Sequence, residues 1–385
     1  MTNFILKPWR LKAHYLPLLL GLYFALVINI PLAAKLHGIL ELLPTYKIGF
    51  AISLPIFLTC FFTILFSLFS IKFIEKPLFI VVLIISSVIS YATYQYGVIF
   101  DEDMLVNFLQ TNVAEGSSYI SLPSTLWVML MGVLPSFFIT KVQLVRTSLI
   151  KDLTLKVFSI LGSGTMIFVI GLFYYEDYVT IGRNNHGITR YAIPTHLVYS
   201  IGKHVKKEYL VKPAPYMALG LDAKDTSPLF QGKHALFILV VGETARGMNY
   251  ELNGYARTTN RYTKPLNVIS YQDVQACGTA TATSLPCMFS NLPRLEFTTQ
   301  KASNQDNLVD ILNRAKLNLL WLENDGGCKG VCDKIPHETI NPKQKPWCDG
   351  LTCYDEVFLE GLQERIDRLK GKNAFLVLHI IGSHG

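Results

Sequence analysis

Long apolar segments dominate the first half of this 385-residue chain. Five of them contain no charged side chain, and each is close to the ~20 residues that a helix needs to cross the hydrocarbon of a bilayer. They are Tyr15–Ala34, Gly49–Ile71, Pro77–Phe100, Ser121–Thr140 and Val157–Tyr175. A soluble core rarely supplies five such runs, so residues 1–176 are predicted to form a membrane domain of five helices. The first run is taken as an uncleaved helix and not a signal peptide, since its apolar region is long and four more follow.

A different pattern starts near residue 231. Short apolar runs predict strands at 234–242, 317–323 and 374–382, and the segments NLVDILNRAK and DEVFLEGLQERIDRLK between them have helical spacing. Alternating strands and helices predict a mostly parallel sheet covered on both faces, and thus an α/β domain over residues 231–385. Ligands of such domains bind beyond the carboxyl ends of the strands.

Residues 177–230 are predicted to form a bridging segment between these two domains. Its stretch TRYAIPTHLVYSIGKHVKKEYL mixes aliphatic, aromatic and basic residues at roughly helical spacing. The pattern fits a helix lying on the membrane surface and fits an ordinary linker helix equally well.

Charge sets the predicted orientation. Half of the residues are hydrophobic and 16% are charged, and the net charge of +7 comes largely from basic residues in alternate short loops. These residues are Lys7, Arg10, Lys12, Lys72, Lys76, Lys141, Arg146, Lys151 and Lys156. Basic loops stay in the cytoplasm, which places the N-terminus there and everything after Glu176 outside. No basic tract with interleaved aromatic residues is present, so nucleic acid is not an expected partner.

The cysteines agree with an exported second half. Cys60 lies alone in the second apolar run, and the other six fall beyond residue 230 in close pairs: Cys277 and Cys287, Cys328 and Cys332, Cys348 and Cys353. In an oxidising compartment this arrangement predicts three local disulfides. A zinc ribbon built from CKGVC and CDGLTC is the alternative, but its inner spacings of three and four residues differ from the usual two.

Three stretches near the strand ends carry candidate chemistry. In VVGETAR, Glu243 and Thr244 follow Gly242 at a predicted helix start, where a glutamate is equally well explained as a favourable first-turn charge. In HIIGSHG, two histidines within six residues, His379 and His384, favour a site. In ACGTATATSLPCMFSN, three threonines lie between two cysteines.

At these residues the sequence resembles the phosphoethanolamine transferases of Gram-negative inner membranes, among which are the transferable colistin-resistance enzymes. The resemblance rests on NFLQTNVAEG, VVGETAR, CGTATATSLPCMFS, CKGVCDKIPHE and HIIGSHG, in this order along nearly the whole chain. It implies an inner-membrane protein with five spans, followed by a periplasmic catalytic domain of the sulfatase or alkaline-phosphatase type.

The resemblance also implies roles for individual residues. Glu243 is implied as a zinc ligand, and Thr281 as both the nucleophile and a metal ligand; spacing alone does not distinguish Thr281 from Thr279 and Thr283. Substrate contacts are implied for a second group of residues. In that group, Lys329 matches a basic residue that faces the donor phosphate. His384 matches a histidine that binds the substrate or a second zinc ion, and His379 is expected to contact the same phosphate. Residues matching positions that shape a lipid headgroup channel are Asn107, Thr111 and Glu115. The last three residues are equally well explained as the polar cap of a surface helix.

The implied reaction is a ping-pong transfer. Thr281 takes phosphoethanolamine from phosphatidylethanolamine, diacylglycerol leaves, and lipid A accepts the group. A threonine hydroxyl is protonated at neutral pH, so a zinc ion is expected beside it. We expect the protein to act as a monomer in contact with membrane lipids.

The chain departs from the family pattern after HIIGSHG, where it ends at Gly385. Family members continue to an Asp-His pair that completes their zinc site. With Glu243 and Thr281 as the only identified ligands, zinc binding is expected to be weak and the chain nearly inactive. Transfer to another glycan or to a protein, and a non-catalytic membrane remnant, are the alternatives. A sulfatase proper is less favoured, because Cys277 lacks the C/S-x-P-x-R context.

Overall fold

The computed structural model describes residues 9–111, 116–117, 119–146, 148–210, 215–226, 233–343, 346–350 and 352–382. The chain divides into two units by its internal contacts. Unit 1 contains Met1–Leu105 and Ile120–Glu208, and unit 2 contains Val106–Tyr119 and Tyr209–Gly385.

Unit 1 consists mainly of long apolar helices. In chain order these are α1 (Tyr15–Ile28), α2 (Ile30–Glu41), α3 (Ile48–Phe69), α4 (Glu75–Tyr96), the start of α5 (Glu102–Gln110), α6 (Leu122–Lys141), α7 (Leu149–Asn184) and α8 (Thr195–Val205). Within the described residues, α3, α4, α6 and α7 are long and apolar enough to cross a membrane, and the bent pair α1 and α2 makes a fifth candidate when the two helices are counted as one span. The predicted multi-helix membrane domain is therefore confirmed.

Two helices differ from their predicted bounds. The first apolar run forms two helices that meet at Asn29 with a bend of 57°, and the second of them continues to Glu41. The last of the membrane-span candidates, α7, has 36 residues and extends beyond the predicted 157–175 at both ends. Charged residues such as Lys151 and Asp177 lie in those extensions, and a search for uncharged runs stops short of them.

The core of unit 1 is built from aromatic rings of three helices. Phe24 of α1 contacts Phe62 and Phe66 of α3, and Phe66 in turn contacts Phe79 of α4. At Gly21 the backbones of α1 and α3 approach closely, since a Cβ atom there would lie 2.9 Å from the carbonyl oxygen of Thr59. These contacts hold α1 against α3.

The bend at Asn29 is fastened by hydrogen bonds of a fully buried side chain. Asn29 Nδ2 donates to the carbonyls of Phe24 (3.0 Å) and Ile193 (2.7 Å), and Asn29 Oδ1 accepts from the Ile193 N–H at 2.8 Å. The side chain thereby satisfies backbone groups that a broken helix exposes, and it ties the bend to the segment that leads into α8.

Lysines near the end of α8 pair with the start of α5. Lys203 and Lys207 both bind the buried Glu102 carboxylate at 2.8 Å. A short parallel ribbon of β1 (Arg10–Lys12) and β2 (Gln143–Val145) completes unit 1.

Unit 2 contains a four-stranded parallel sheet. Its strands are β3 (Leu236–Val241), β4 (Asn318–Glu323), β5 (His337–Thr339) and β6 (Ala374–His379), in the spatial order β3-β6-β4-β5. Its helices are α9 (Thr281–Phe289), α10 (Thr299–Ser303), α11 (Leu308–Arg314) and α12 (Leu362–Arg368). The predicted α/β domain with a parallel sheet is confirmed.

Apolar residues cover both faces of this sheet. Trp321 and Val377 pack with Phe289 on one face, and Leu322 and Leu376 pack with Phe358 and other residues on the other. The predicted helix DEVFLEGLQERIDRLK is wrong in one respect, because a 3-10 turn (Asp355–Leu359) precedes α12 and Gly361 separates them at φ +64°.

Candidate active site

Three neighbouring strands of the sheet end at the same level. In the register of β6 with its neighbours, His379 lies opposite Val241 of β3 and opposite Glu323 of β4. The chain continues two residues past each of those neighbours to Glu243 and to Asp325. One ligand atom each from Glu243, Asp325 and His379 lies within 4.8 Å of the other two. The predicted carboxyl edge of the sheet thus gathers polar side chains.

Glu243 lies in a loop and not at a helix start. The predicted helix there is wrong: Thr244 has φ +51°, and the next helical turn is the 3-10 turn Gly247–Asn249. Gly382 packs against the backbone of Glu243, where a Cβ atom would lie 2.6 Å from the Glu243 carbonyl oxygen. With φ +60° as well, Gly382 is a position that favours glycine.

Thr281 is the first residue of α9, and its side chain meets Glu243. Thr281 Oγ1 donates to Glu243 Oε2 at 3.2 Å. The N–H groups of Thr283 and Ser284 both donate to the Ala280 carbonyl, so these groups close the first turn of the helix. The leading N–H groups of a helix lack intrahelical partners and favour an anion. Among the three threonines of the stretch, Thr281 is the one that the structure joins to Glu243.

His379 is fully buried beside a second buried carboxylate. Its Nδ1 lies 2.9 and 3.0 Å from the two oxygens of Glu323. Glu323 also accepts from Trp321 Nε1 at 2.9 Å and from the Asp325 N–H at 2.8 Å. Burial raises the pKa of Glu323, but hydrogen bonds from His379, Trp321 and the Asp325 N–H outweigh this effect and leave the pKa below its usual value.

Asp325 faces a negative environment. The pKa of the Asp325 carboxyl is raised to about 7, chiefly by burial and further by the nearby carboxylates of Glu243 and Glu323. His379 and Lys329 act in the opposite direction. Two carboxylates that repel each other across a few ångströms form a site that a cation stabilises.

The donor chemistry of this edge fits a divalent cation. Glu243 and Asp325 offer carboxylate oxygens, Thr281 a hydroxyl and His379 an imidazole, which are ligand types that zinc accepts. The other candidate cluster in the described part of the chain, Cys328, Cys332 and Asp333, does not fit. Its two sulfur atoms are bonded to each other and so are not thiolates.

The expected disulfides are present as Cys277–Cys287, Cys328–Cys332 and Cys348–Cys353. The first of them joins α9 to the segment before Thr281. Cys60 has no disulfide partner among the described residues.

The other predicted substrate residues make only local contacts or lie outside the described part of the chain. Lys329 has φ +50°, and its Nζ reaches the Gly326 carbonyl at 3.5 Å. Asn107 is part of α5, and Thr111 Oγ1 donates to the Asn107 carbonyl at 2.9 Å. Glu115 and His384 lie outside the described residues.

Sequence reasoning missed Asp325 and Glu323. The signal was available, because both follow the apolar run LNLLWL, one as the last residue of β4 and the other two positions later. The strand-end argument that selected Glu243 and His379 applies to them as well.

Comparisons with known proteins agree with this arrangement. Residues 58–209 match the family model described as phosphoethanolamine transferase EptA/EptB, and residues 235–385 match the sulfatase model. Phosphoethanolamine transferase EptA of Escherichia coli strain K12 is 32% identical over 100% of this chain and 71% of that protein. Phosphatidylethanolamine transferase Mcr-1 of Escherichia coli is 31% identical over 88% of this chain and 65% of that protein.

A solved structure of a phosphoethanolamine transferase has the same fold. The integral membrane lipooligosaccharide phosphoethanolamine transferase A (EptA) from Neisseria meningitidis superposes with a TM-score of 0.89 at 33% identity, over 98% of this chain and 70% of that one. The chain thus spans about 70% of the length of such relatives. Together with the membrane helices and the sulfatase-type sheet, these similarities show that the chain belongs to the EptA and Mcr family of integral membrane phosphoethanolamine transferases.

Proposed function

We propose that this protein transfers phosphoethanolamine from phosphatidylethanolamine to a phosphate of lipid A through a covalent intermediate on Thr281, with zinc at the carboxyl edge of the sheet. The observation that carries the proposal is the contact between Thr281 Oγ1 and Glu243 Oε2 at the N-terminus of α9. It combines a hydroxyl, an acceptor for its proton and a helix end suited to phosphate.

Glu243 and Thr281 would hold the metal ion. When bound, zinc lowers the cost of forming the threonine alkoxide and neutralises charge on a phosphoryl oxygen. Electrostatic support of this kind is commonly among the largest contributions to phosphoryl transfer.

The protein groups then account for the bonds of the first half-reaction. Oγ1 of Thr281 forms a bond to phosphorus while the bond from phosphorus to the diacylglycerol oxygen breaks. The hydroxyl proton moves along the existing hydrogen bond to Glu243 Oε2 and passes from there to the departing diacylglycerol oxygen. In the second half, a lipid A phosphate oxygen gives up its proton and attacks phosphorus, and the departing Thr281 oxygen takes up that proton.

Substrate contacts are proposed from the family pattern. Lys329, His379 and His384 would bind the donor phosphate, and Asn107, Thr111 and Glu115 would line the path of the headgroup. A polypeptide with several membrane helices suits this role, because donor and diacylglycerol both stay in the bilayer. The basic loops place the sheet domain on the periplasmic side, where lipid A is reached.

Further possible metal donors lie at the same edge of the sheet as Glu243 and Thr281. Folding places Asp325 and His379 beside Glu243. The number of donors near Thr281 is therefore larger than the sequence indicates.

Mass spectrometry of lipid A from expressing cells tests the acceptor. Lipid A from cells that carry the wild-type chain should gain the mass of one phosphoethanolamine group, and lipid A from cells that carry Thr281→Ala should not. An unchanged lipid A mass, with phosphoethanolamine found instead on another glycan or on a protein, would overturn lipid A as the acceptor. If the protein is present in the membrane and no lipid A, glycan or protein gains phosphoethanolamine, the transfer itself is overturned.

A further inference from the structure

An apolar pocket in unit 1 has no role in the proposed transfer. It lies where α1, α6 and the ribbon of β1 and β2 meet, and its volume is about 170 Å³. Each of these elements contributes side chains to its wall, among them Leu19, Tyr23, Phe138, Ile139 and Leu144. The pocket is thus a feature of the membrane unit and lies away from the sheet.

The wall of this pocket offers nothing that water needs. Tyr23 is the one lining residue in the described part of the chain with a polar side-chain atom. Its hydroxyl donates to the Met131 carbonyl at 3.0 Å, so it is already satisfied. An apolar cavity of this kind excludes water and accepts hydrocarbon. Because the surrounding helices are candidate membrane spans, the hydrocarbon at hand is the acyl chain of a lipid.

The ribbon beside the pocket has an apolar face and a basic face. Leu11 of β1 lies opposite Leu144 of β2, and both are half-buried and line the pocket. Arg10 and Lys12, on either side of Leu11, are exposed. Successive side chains of a strand point to opposite faces, so the leucines face the pocket while the two basic residues face away from it.

The basic side chains next to the pocket have no acidic partner. Arg10 and Lys12 flank the lining residue Leu11, and Lys141 precedes the lining residue Val142. Neither the ribbon nor α1 nor α6 contains an aspartate or a glutamate. Within the described residues, none of these three basic side chains forms an ion pair. Their positive charge is therefore available to an anionic ligand.

Two other basic residues of this region differ, because the protein itself uses their charge. Lys76 Nζ donates to the carbonyls of Thr140 and Val142 at the end of α6. Arg146, just after β2, pairs with the buried carboxylate of Glu75. The charge that remains for a ligand beside the pocket is thus that of Arg10, Lys12 and Lys141.

We propose that this pocket binds one acyl chain of an anionic phospholipid of the cytoplasmic leaflet, and that Arg10, Lys12 and Lys141 contact the headgroup of that lipid. Basic loops stay in the cytoplasm, which places this end of unit 1 there. The bilayer is as apolar as the pocket, so the pocket fixes the position of the chain and adds little affinity. The headgroup charge supplies the selectivity, about fivefold for each basic side chain. This site is separate from the proposed transfer and does not depend on it.

Binding of phosphatidylglycerol and of phosphatidylcholine with the same acyl chains tests the role of charge. The 385-residue chain is used in detergent with Thr281→Ala, which removes any transfer at Thr281, and bound lipids are counted by native mass spectrometry. Phosphatidylglycerol should bind with the lower Kd. Replacing Arg10, Lys12 and Lys141 together with glutamine should raise that Kd by about 10- to 100-fold and leave the Kd of phosphatidylcholine nearly unchanged.

A matched variant controls for the loss of net charge. Lys35→Gln/Lys72→Gln/Lys151→Gln removes three positive charges at exposed positions that do not line the pocket. It should leave the Kd of phosphatidylglycerol unchanged. An equal weakening in this control and in the variant at Arg10, Lys12 and Lys141 would overturn the site, because the attraction would then be unspecific. Equal Kd values of the two lipids for the unsubstituted rim would overturn the anionic headgroup.

The pocket is tested with a pair of tryptophan variants on α1. Leu19 and Leu22 are 50% and 45% exposed, so both positions have room for a larger side chain, but only Leu19 is among the described lining residues. Leu19→Trp fills the pocket and should raise the Kd of phosphatidylglycerol by about 10-fold or more, whereas Leu22→Trp should not. Equal Kd values for these two variants would overturn the pocket as the place of the acyl chain.

A crosslinking experiment on the unsubstituted chain keeps the proposal testable where a variant fails to fold. Phosphatidylglycerol with a diazirine on one acyl chain is added to membranes that contain the protein and is activated by light. Crosslinks should map to residues 11–23 and 135–144, which include the lining residues. Crosslinks confined to other segments would overturn the site. Failure of the proposed transfer would show as absent diacylglycerol release, which none of these lipid-binding measurements uses.

Discussion

Thr281 Oγ1 lies 3.2 Å from Glu243 Oε2, although 38 residues separate them in the sequence. One residue begins α9, and the other follows the end of β3. The contact brings the hydroxyl to the edge of the sheet where Asp325 and His379 also lie. The proposed nucleophile, its proposed proton acceptor and the candidate metal ligands thus lie at, or within two residues of, the ends of one helix and three strands.

Glu243→Gln should reduce transfer while leaving the fold intact. The amide keeps the shape of the side chain but cannot accept the Thr281 proton as a carboxylate does. It also binds a cation more weakly than the carboxylate. Release of diacylglycerol from phosphatidylethanolamine should fall by about 10²- to 10⁴-fold. Glu338→Gln is the control, since that carboxylate binds Arg365 and Arg368, and its loss should change the rate little. Equal rates for the wild type and Glu243→Gln would contradict the role of Glu243.

The disulfide Cys277–Cys287 should affect transfer more than its effect on stability explains. It closes the loop that carries Thr281, whereas Cys348–Cys353 closes a loop without a proposed catalytic group. Replacing either pair with serine should cost about 2 to 3 kcal/mol of unfolding free energy, because both loops are short. Diacylglycerol release per folded molecule should fall in Cys277→Ser/Cys287→Ser and stay near the wild-type rate in Cys348→Ser/Cys353→Ser. A similar loss in both variants would argue against a specific role of the first disulfide.

Asn29 should be important for the stability of the membrane unit. Asn29→Ala removes two side-chain donors to carbonyls and leaves the Ile193 N–H without its acceptor. The expected loss is about 1 to 3 kcal/mol, measured by unfolding in mixed micelles. Asn185→Ala, which removes a hydrogen bond to Ile181 at the end of α7, should cost clearly less. If both variants lose the same unfolding free energy, the hydrogen bonds of Asn29 do not stabilise the bend more than an ordinary helix-end hydrogen bond does.

Asp306 should make the stability of unit 2 sensitive to acid. Its buried carboxylate accepts from Tyr216, Arg314, Lys334 and the Leu219 N–H, at distances of 2.5 to 3.1 Å. Burial raises the pKa of Asp306, but these hydrogen bonds outweigh it and hold the pKa far below the usual range. The group is therefore protonated more readily in the unfolded chain than in the folded one.

The stabilisation by Asp306 is complete above the unfolded-state pKa of about 3.9 and is lost as pH falls below that value. Asp306→Asn should lower the unfolding free energy by about 3 to 5 kcal/mol at pH 7, since it leaves Arg314 and Lys334 without the negative charge that they pair with. The difference between wild type and variant should shrink between pH 4 and pH 2, as followed by thermal melts. A difference that is constant over this pH range would contradict the account.

The sequence indicated the main elements of both units, because long uncharged runs predict membrane helices and short continuous apolar runs predict buried parallel strands. The three-residue strand β5 and the break at Gly361 were not predictable from such runs. The long extensions of α7 were missed because charged residues at its ends interrupt the apolar pattern.

The site was predictable in part. Glu243 and His379 were found as polar residues at strand ends, and the family pattern singled out Thr281. Asp325 was missed because an Asn-Asp pair after a strand also occurs in ordinary turns. The buried contact between Glu323 and His379 depends on the order of the strands, which places β6 beside β4 and which periodicity does not reveal.

Identification of the covalent intermediate tests the central claim most directly. The purified, zinc-loaded chain is incubated with phosphatidylethanolamine, quenched in acid, digested and examined by mass spectrometry of the peptide that contains residues 277–287. The account predicts one phosphoethanolamine group on Thr281, and none on Thr279 or Thr283. Diacylglycerol release without an adduct on Thr281, or an adduct on another residue, would contradict it.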